Sequence, residues 1–489
     1  MPAATRTVLL VCVLVAGCGG ARSGGALDRI RARGELTWGA DEQGGEPYAF
    51  EDASRGGALV GFEVDLADTL ARALGVRARF VQNDWSTLIP SLERGTFDVA
   101  MNGIEVTPAL AARVRFSRPY YRFSERLVAR RGDARIRDLP SVAGLRVGSL
   151  ANSLAWQLAR DAHAQAIPYE GVDEPFIDLV HGRIDAVLID DIIVARYAGR
   201  HPTLAVVADV AEGSYAIAMR PQDEDLRQAI DRALGAEVSS GSWRRTLARW
   251  QIDGPRQAAL AVAPDAVAVA PAGRAPLSAR QLALFLQGAL VTLIISLAAM
   301  ALAAPLGLVL ALVRTESRRL RPLATAYVEI VRGTPVLLQL YVLYFGLADV
   351  IALSPWTAAI IGLGLNYAAY EAEIYRGAIQ AIPARQWEAA LAIGLPRRAV
   401  LRHVILPQSL RIAMPGVTND FISLLKDSSL VSVLTVVELT KRLTIVAVDN
   451  RGWLAPGVLC AALYFLLGYP LARLARRLEK RRRVPSPSS

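Results

Sequence analysis

The sequence predicts two parts in order, an α/β domain of two lobes and then an all-α transmembrane domain of about five helices. The first part is indicated by residues 28–254, where strand-like and helix-like patterns alternate. The second is indicated by the segment between Arg280 and Arg314, which holds no charged residue and exceeds the roughly 20 residues that cross a bilayer. With 53% hydrophobic residues, the chain of 489 residues is also too apolar for one soluble globule.

The α/β domain is predicted from a regular succession of short elements. Gly75 and Gly95 end two of the helical patterns. Strand-like patterns cover 35–40, 76–81, 98–102, 145–149 and 185–189, and helical patterns cover 64–74, 87–94, the residues after Asn152 and the region near 175–180. This alternation predicts largely parallel sheets. Because a second set of elements starts at Leu145, we expect two lobes with a cleft between them, and closure of the cleft would be a hinge motion.

The predicted membrane domain covers residues 279–480. After the first apolar run, further predicted spans lie between Arg332 and Asp349, Val350 and Tyr370, and Gly452 and Ala472. A fourth span in chain order, 412–437, is less regular because it contains Asp420, Lys426 and Asp427. These runs give the count of about five helices.

The net charge of +10 is explained by the membrane topology and not by nucleic acid. Basic residues cluster at 314–321, 376–402 and 473–483, and these positions satisfy the positive-inside rule if the N-terminal side is outside and the C-terminal side is cytoplasmic. Lys441, Arg442 and Arg451 are exceptions, since they fall on the outer side. No basic patch with interleaved aromatic residues indicates nucleic-acid binding.

The N-terminus predicts a lipoprotein-type signal over residues 1–18. An apolar run at Val8–Ala16 precedes Gly17 and Cys18, which resembles a lipobox, and we expect Cys18 to be acylated. An ordinary cleaved signal and an uncleaved anchor are the alternatives. Because Cys12 lies in the signal and Cys460 in a span, the chain offers no disulfide framework and no zinc site outside the membrane. Residues 257–278, rich in Ala, Val and Pro, are predicted to form a linker.

Several segments of the α/β domain carry a family resemblance. Leu59–Gly75, Asp84–Ala100, Phe116–Tyr121 and Gly182–Asp190 resemble periplasmic amino-acid-binding proteins, and so does the last helix with Trp243 and Trp250. The resemblance implies a type II periplasmic-binding-protein-like fold and a small solute, an amino acid or an amine, in the cleft.

The membrane domain resembles the permeases of polar amino-acid ABC importers from about Ala283 to Arg477. The segments that carry this resemblance are Val328–Leu340, Leu365–Gln380, Phe421–Val433 and Gln386–Pro407. The last of these is similar to the EAA coupling loop, which implies that Glu388, Ala389 and Gly394 contact a separate ATPase subunit. Since importers need two permease halves, a homodimer or a paired permease is implied. The chain has no G-x-x-x-x-G-K-[ST] loop, so we expect no ATP hydrolysis by the chain itself.

The binding-protein resemblance also implies a set of ligand-binding residues. Trp85 occupies the aromatic position, and Asp190, at the end of a strand, occupies the position that binds an ammonium group. Asn152 and Ser153 open a helix, where they either cap it or bind a carboxylate. The other cleft candidates are Asp41, Tyr48, Asn102, Gly103, Glu105 and Thr107.

Two departures from the family pattern bear on the solute. Leu110 stands where the family has the Arg that binds the ligand carboxylate, and Glu105 stands where it has Ser or Thr. Arg113 is one turn away and is expected to point elsewhere. We therefore expect a cationic solute, a basic amino acid or polyamine-like amine, in preference to glutamine and glutamate. An amino acid whose carboxylate is bound by backbone amides near Asn152, and a cleft that has lost binding, are the alternatives.

The functional prediction is an ABC-importer subunit in the cytoplasmic membrane that joins an extracytoplasmic solute receptor to a permease. A ligand-gated channel or sensor built on the same bilobed domain is the alternative, but the membrane segments follow the completed domain and the EAA loop has no role in a channel. An enzyme is disfavoured, because His163, His181 and His201 are isolated. We expect no catalytic residue, no metal and no cofactor.

Overall fold

The computed structural model describes residues 24–261, 277–351, 353–450 and 452–480. Cys18, the predicted signal and most of the predicted linker lie outside these residues. At the start of the linker, Pro255–Ala261 still packs on the α/β domain as a 3-10 helix, with Gln257 bonded to the backbone of Arg122 in both directions. The packed part of the domain thus extends to Ala261.

The α/β domain consists of two lobes, and the chain passes from the first to the second and back. The first lobe opens with α1 Ala26–Arg33, β1 Glu35–Ala40, β2 Phe50–Asp52, β3 Ala58–Val60, α2 Phe62–Leu74, β4 Arg77–Gln82, α3 Leu88–Glu93, β5 Val99–Ala100, α4 Pro108–Ala111 and β6 Arg115–Phe116. The second lobe contains β7 Tyr121–Arg130, β8 Arg146–Leu150, α5 Leu154–Asp161, β9 Gln165–Tyr169, α6 Glu174–Val180, β10 Ala186–Asp190, α7 Asp191–Tyr197 and β11 Leu204–Tyr215. The chain then returns to the first lobe for β12 Ala218–Met219, α8 Glu224–Ser239 and α9 Ser242–Arg249.

Both five-stranded sheets are mixed, whereas the sequence predicts largely parallel ones. The first has the order β4-β1-β5-β12-β6, with β1 parallel to β4 and β5 but β12 antiparallel to β5 and β6. The second has the order β11-β7-β10-β8-β9, with β7 antiparallel to both of its neighbours. The antiparallel pairs arise because β7 and β12 each enter a lobe directly from the other lobe, without a crossover helix.

Aromatic side chains fill the junction where the two lobes meet. The ring of Tyr215 stacks on Tyr121 and on Phe123, with centroid distances of 5.6 and 4.5 Å. Trp243 of α9 donates its indole N–H to the carbonyl of Tyr120 at 2.6 Å. Two chain crossings, between β6 and β7 and between β11 and β12, pass through this core, so the junction is suited to act as the hinge.

All regular secondary structure in the described part of the membrane domain is helical. Its helices are α10 Ala279–Glu316, α11 Arg321–Gly333, α12 Val336–Tyr341, α13 Pro355–Gln380, α14 Ala384–Ala392, α15 Arg397–Val400, α16 Leu406–Asp427, α17 Leu439–Asp449 and α18 Leu454–Lys480. Helical segments overlap all five predicted spans. Among the described residues, Ala279–Glu316 and Leu454–Arg473 are suited by length and composition to cross a membrane, and the pair Arg321–Gly333 with Val336–Gly346, bent by 108°, raises the number to three if it forms one span.

Small residues let the long helices approach closely. A Cβ added at Gly307 of α10 would lie 2.5 Å from the Cβ of Glu371 on α13, and one at Gly364 would lie 2.7 Å from Leu302. Large apolar side chains such as Leu286 and Phe465 are each 62% exposed on the outside of the bundle. Small residues between helices and apolar residues outside are the pattern of a membrane-embedded bundle.

Candidate functional site

A cavity lies between the two lobes, at the carboxyl end of β10. It holds about 390 Å³ of empty space, part of which is open to solvent. Six of the ten predicted ligand residues line it, namely Tyr48, Trp85, Asn102, Gly103, Glu105 and Asp190. Its volume lies within the range of small-molecule sites.

Three carboxylates converge at this cavity. Glu105, Glu125 and Asp190 each place an oxygen within 4.8 Å of the others, and all three side chains are buried. Glu125 stands directly opposite Asp190 in the antiparallel pair of β7 and β10. Like charges in such a cross-strand pair repel each other. The Glu125 carboxyl group faces the Asp190 carboxyl group and the backbone N–H of Ala155, but neither contact has good hydrogen-bond geometry, so this buried group is only weakly compensated.

Burial changes the acidity of these groups. It raises the pKa of Asp190 to about 7. It also raises the pKa of Glu105 well above the ordinary value, and the neighbouring Asp190 raises it further. The pKa of Glu125 is raised by burial first and then by Asp190 and Glu105. The empty site therefore retains protons near neutral pH, and a bound cation would release them.

Tyrosine hydroxyls complete the polar part of the site. Tyr215 donates a hydrogen bond to Asp190, and its hydroxyl lies 2.8 Å from that of Tyr48. Gly103 has a φ of +62° and donates its N–H to Glu63 at 2.7 Å. The tyrosines orient Asp190 from the hinge side, and Glu63 fixes the loop that carries Glu105.

Two predicted residues join the lobes across the cleft. Trp85 of the first lobe donates its indole N–H to the carbonyl of Ala151 in the second lobe at 2.9 Å. Glu105 of the first lobe accepts a hydrogen bond from the backbone N–H of Leu154, the first residue of α5. One of the backbone N–H groups near Asn152, which the sequence analysis considers as donors to a ligand carboxylate, is therefore already bonded to Glu105.

The remaining predicted ligand residues do not line this cavity. Asp41 accepts hydrogen bonds from Trp85 N at 2.8 Å and from Gln82 Nε2 at 3.0 Å, so it holds the Trp85 segment. Thr107 caps α4 through Leu110 N, and Ser153 caps α5 through Trp156 N. Asn152, with a φ of +65°, lines a second cavity beside the first.

The position of the missing family arginine also faces the second cavity. Leu110 lines it together with Trp85 and Asn152. Arg113 reaches the same cavity, but it donates Nε and Nη2 to the two carboxylate oxygens of Glu93, each at 2.8 Å. Its guanidinium is therefore already paired with a carboxylate of its own lobe.

The predicted coupling residues form an exposed helix-turn on the membrane domain. Glu388 and Ala389 lie exposed on α14, and Gly394 ends the turn with a φ of +84°, in the left-handed region that favours glycine. Leu391 and Ile393 beside them are 45% and 78% exposed. Exposed apolar residues on an otherwise polar turn suit contact with another protein.

The structure adds Glu125, Glu170 and Tyr215 to the site. Glu125 lies on the same face of β7 as Phe123 and Leu127, which are both fully buried. A charged residue at an alternating position that is otherwise apolar is the sequence feature from which Glu125 could have been predicted. Glu170 lines the cavity just after β9. Tyr215 lies at the junction of the two lobes, and no local sequence pattern marks it.

Comparison with known proteins divides the chain in the same way. A family model described as bacterial extracellular solute-binding proteins, family 3, matches residues 36–253. A second, described as binding-protein-dependent transport system inner membrane component, matches residues 303–484.

Individual permeases agree with the second family match. A putative glutamine transport system permease of Rickettsia bellii is 34% identical over 198 residues, which are 40% of this chain and 91% of the relative. A probable amino-acid ABC transporter permease of Bacillus subtilis is 39% identical over 192 residues, which are 39% of this chain and 85% of the relative. Among solved structures, holo ArgBP of T. maritima is 28% identical, covers 46% of this chain and all of its own, and has a TM-score of 0.41.

Proposed function

Since the chain belongs to the amino-acid ABC transporter permeases and carries its solute-binding domain in the same polypeptide, we propose that it imports a cationic solute. The class we favour is a basic amino acid or a polyamine-like amine. The solute-binding domain would face the extracytoplasmic side, and a separate ATPase would drive the permease.

The charge of the cleft is the observation that carries the choice of solute. Three carboxyl groups, those of Glu105, Glu170 and Asp190, line the cavity, and the described residues that line it include no Arg, Lys or His. Of the three, Glu170 forms an ion pair with Lys441 of the membrane domain. Glu125 adds a fourth carboxylate immediately behind Asp190. An anionic solute would have to enter against these charges, whereas an ammonium or guanidinium group would compensate them.

The absence of a carboxylate anchor supports the same choice. Leu110 offers no hydrogen bond at the position of the family arginine, and Leu154 N at the start of α5 is bound by Glu105. A ligand carboxylate without a partner would cost several kcal/mol on burial. Glutamine and cystine appear in the names of related permeases, but in a receptor–permease fusion the receptor cleft selects the solute first.

Binding to the full chain in lipid nanodiscs tests the choice of solute. Isothermal titration at pH 8 with L-arginine, putrescine, L-glutamine and L-glutamate should give the tightest binding for L-arginine or putrescine and none for L-glutamate. Micromolar binding of L-glutamate would overturn the charge argument. Equally weak binding of all four solutes would indicate that the cleft has lost its binding function.

The coupling to an ATPase is supported by the exposed turn at 384–405. Leu391 and Ile393 present apolar surface beside Glu388 and Gly394, where a nucleotide-binding subunit would dock. Two copies of the chain would supply the two permease halves. Co-purification with an ABC ATPase subunit, followed by light scattering, tests both claims, and a complex with one copy of the chain and no second permease would contradict the homodimer.

A further inference from the structure

The second lobe of the receptor contacts the permease of the same chain through a buried polar cluster. Arg183, beyond α6, places its guanidinium 4.0 Å from the ring centre of Tyr344 and donates Nη2 to the Tyr344 carbonyl at 3.0 Å. Asp178 accepts from the Tyr344 hydroxyl at 2.8 Å and from Arg183 Nη1 at 2.9 Å. The side chains of Asp178 and Arg183 are 1% and 4% exposed. A buried ion pair that also hydrogen-bonds to the permease through both of its side chains favours one docking geometry.

A second contact links the permease to the wall of the solute cavity. Lys441 of α17 lies with its Nζ 2.5 Å from Glu170 Oε1, and its side chain is only 6% exposed. Glu170 follows β9 and is one of the carboxylates that line the cavity. One ion pair therefore connects the membrane domain to the group of charges that would select the solute.

This contact gives Lys441 a role that topology does not explain. Lys441 lies on the outer side of the predicted topology, as an exception to the positive-inside rule. Lys441 is almost completely buried against Glu170 of the other domain. This carboxylate compensates the cost of removing the lysine ammonium from water.

We propose that Lys441 acts as a counter-charge to Glu170 when the second lobe is docked on the permease. In this role it lowers the affinity of the cleft for a cation and so promotes release of the solute to the permease. This proposal rests on the proposed cationic solute. When the second lobe sits on the permease, the ammonium of Lys441 neutralises Glu170 and leaves the cavity with one negative charge fewer. By thermodynamic reciprocity, a cation that binds at Glu170 weakens the ion pair by the same factor, so the docked state favours an empty cleft.

Zero-length carbodiimide crosslinking of the full chain in nanodiscs tests the contact without any solute. The chain has three lysines, Lys426, Lys441 and Lys480, so a crosslinked peptide identifies its lysine without ambiguity. Glu170, with 41% of its side chain exposed, is open to the reagent. We expect a Glu170–Lys441 amide, and Asp161→Asn, which removes an exposed carboxylate of the same lobe, should leave its yield unchanged. Absence of the amide would refute the docking contact.

The effect on affinity is tested with L-arginine as the probe. Lys441→Met should bind it about tenfold more tightly than the unmodified chain, the order expected for one unit charge at the same cavity. Lys441→Arg should bind it as the unmodified chain does. Lys441→Met should also transport L-arginine more slowly, whereas Lys441→Arg should transport it at the rate of the unmodified chain.

The outcomes separate this proposal from the proposed function. A crosslink together with an unchanged affinity in Lys441→Met refutes the counter-charge role but leaves the cationic solute intact. If L-glutamine binds and L-arginine does not, the cationic solute is wrong. The counter-charge role then fails with it, although the crosslink would still establish docking of the second lobe.

Discussion

Replacement of Glu125 by glutamine should make the empty protein more stable and its binding of cations weaker. The side chain is fully buried, opposes Asp190 across the β7–β10 pair and has only a poorly aligned contact with the backbone N–H of Ala155 as a donor. Glutamine keeps the shape and removes the charge. Stability and cation affinity should change in opposite directions, because the Glu125 carboxylate destabilises the empty protein by repulsion and stabilises a bound cation by attraction.

The magnitude follows from the distances in the carboxylate cluster. Its oxygens lie within 4.8 Å of one another. At that separation and an effective dielectric constant of about 20, two full negative charges repel by about 3.5 kcal/mol. Retained protons relieve part of this repulsion in the empty state. We expect a gain of about 1–2 kcal/mol in the free energy of unfolding at pH 8 and a loss of roughly tenfold to a hundredfold in cation affinity.

The assay is a denaturation series and a titration with L-arginine, both on the full chain in nanodiscs at pH 8. Glu212→Gln is the matched control, because Glu212 lies on the neighbouring strand of the same sheet with 70% of its side chain exposed. It should change neither quantity. If Glu125→Gln destabilises the empty protein and leaves L-arginine affinity unchanged, Glu125 has a structural role through Asp190 and the backbone N–H of Ala155, and it does not serve cation binding.

Further predictions concern coupling, specificity, pH and the N-terminus. Gly394→Asp should abolish transport and solute-stimulated ATP hydrolysis while solute binding persists, because its φ of +84° strains any side chain; normal transport by this variant would remove the coupling assignment. Leu110→Arg should strengthen binding of L-glutamine and weaken that of L-arginine, as titration of both ligands would reveal, and an unchanged preference would mean that position 110 does not face the solute. Protonated Asp190 stabilises the fold below its unfolded pKa near 4, and this contribution is lost as pH rises through about 7. The affinity for L-arginine should therefore rise from pH 5.5 to pH 8, by up to about tenfold per pH unit for each proton released, and a flat profile would contradict the raised pKa values of these carboxyl groups. Mass analysis of the mature N-terminus should find an acylated Cys18, and an unmodified terminus at another residue would exclude lipidation.

The local elements of the α/β domain follow closely from the sequence pattern. The strand predicted at 35–40 is β1, and the helix predicted to end at Gly75 is α2, because alternating or helical periodicity and a left-handed glycine are local signals. Strand direction is not a local signal. Neither β7 nor β12 differs in its own pattern from a parallel strand, and both are antiparallel because of where the chain crosses between lobes.

The sequence by itself determined the order of a bilobed receptor and a helical permease and the family of each part. It also predicted a coupling turn and Leu110 at the position of the family's arginine. These features depend on residue type, spacing and periodicity along the chain. Only the tertiary structure decided which side chains share the cleft. It places Glu125 opposite Asp190 and lets Glu105 accept a hydrogen bond from the first backbone N–H of α5. It also brings Lys441 into contact with Glu170, 271 residues away in the chain. Electrostatic interactions act through space over a few ångströms, and sequence separation carries no information about that distance.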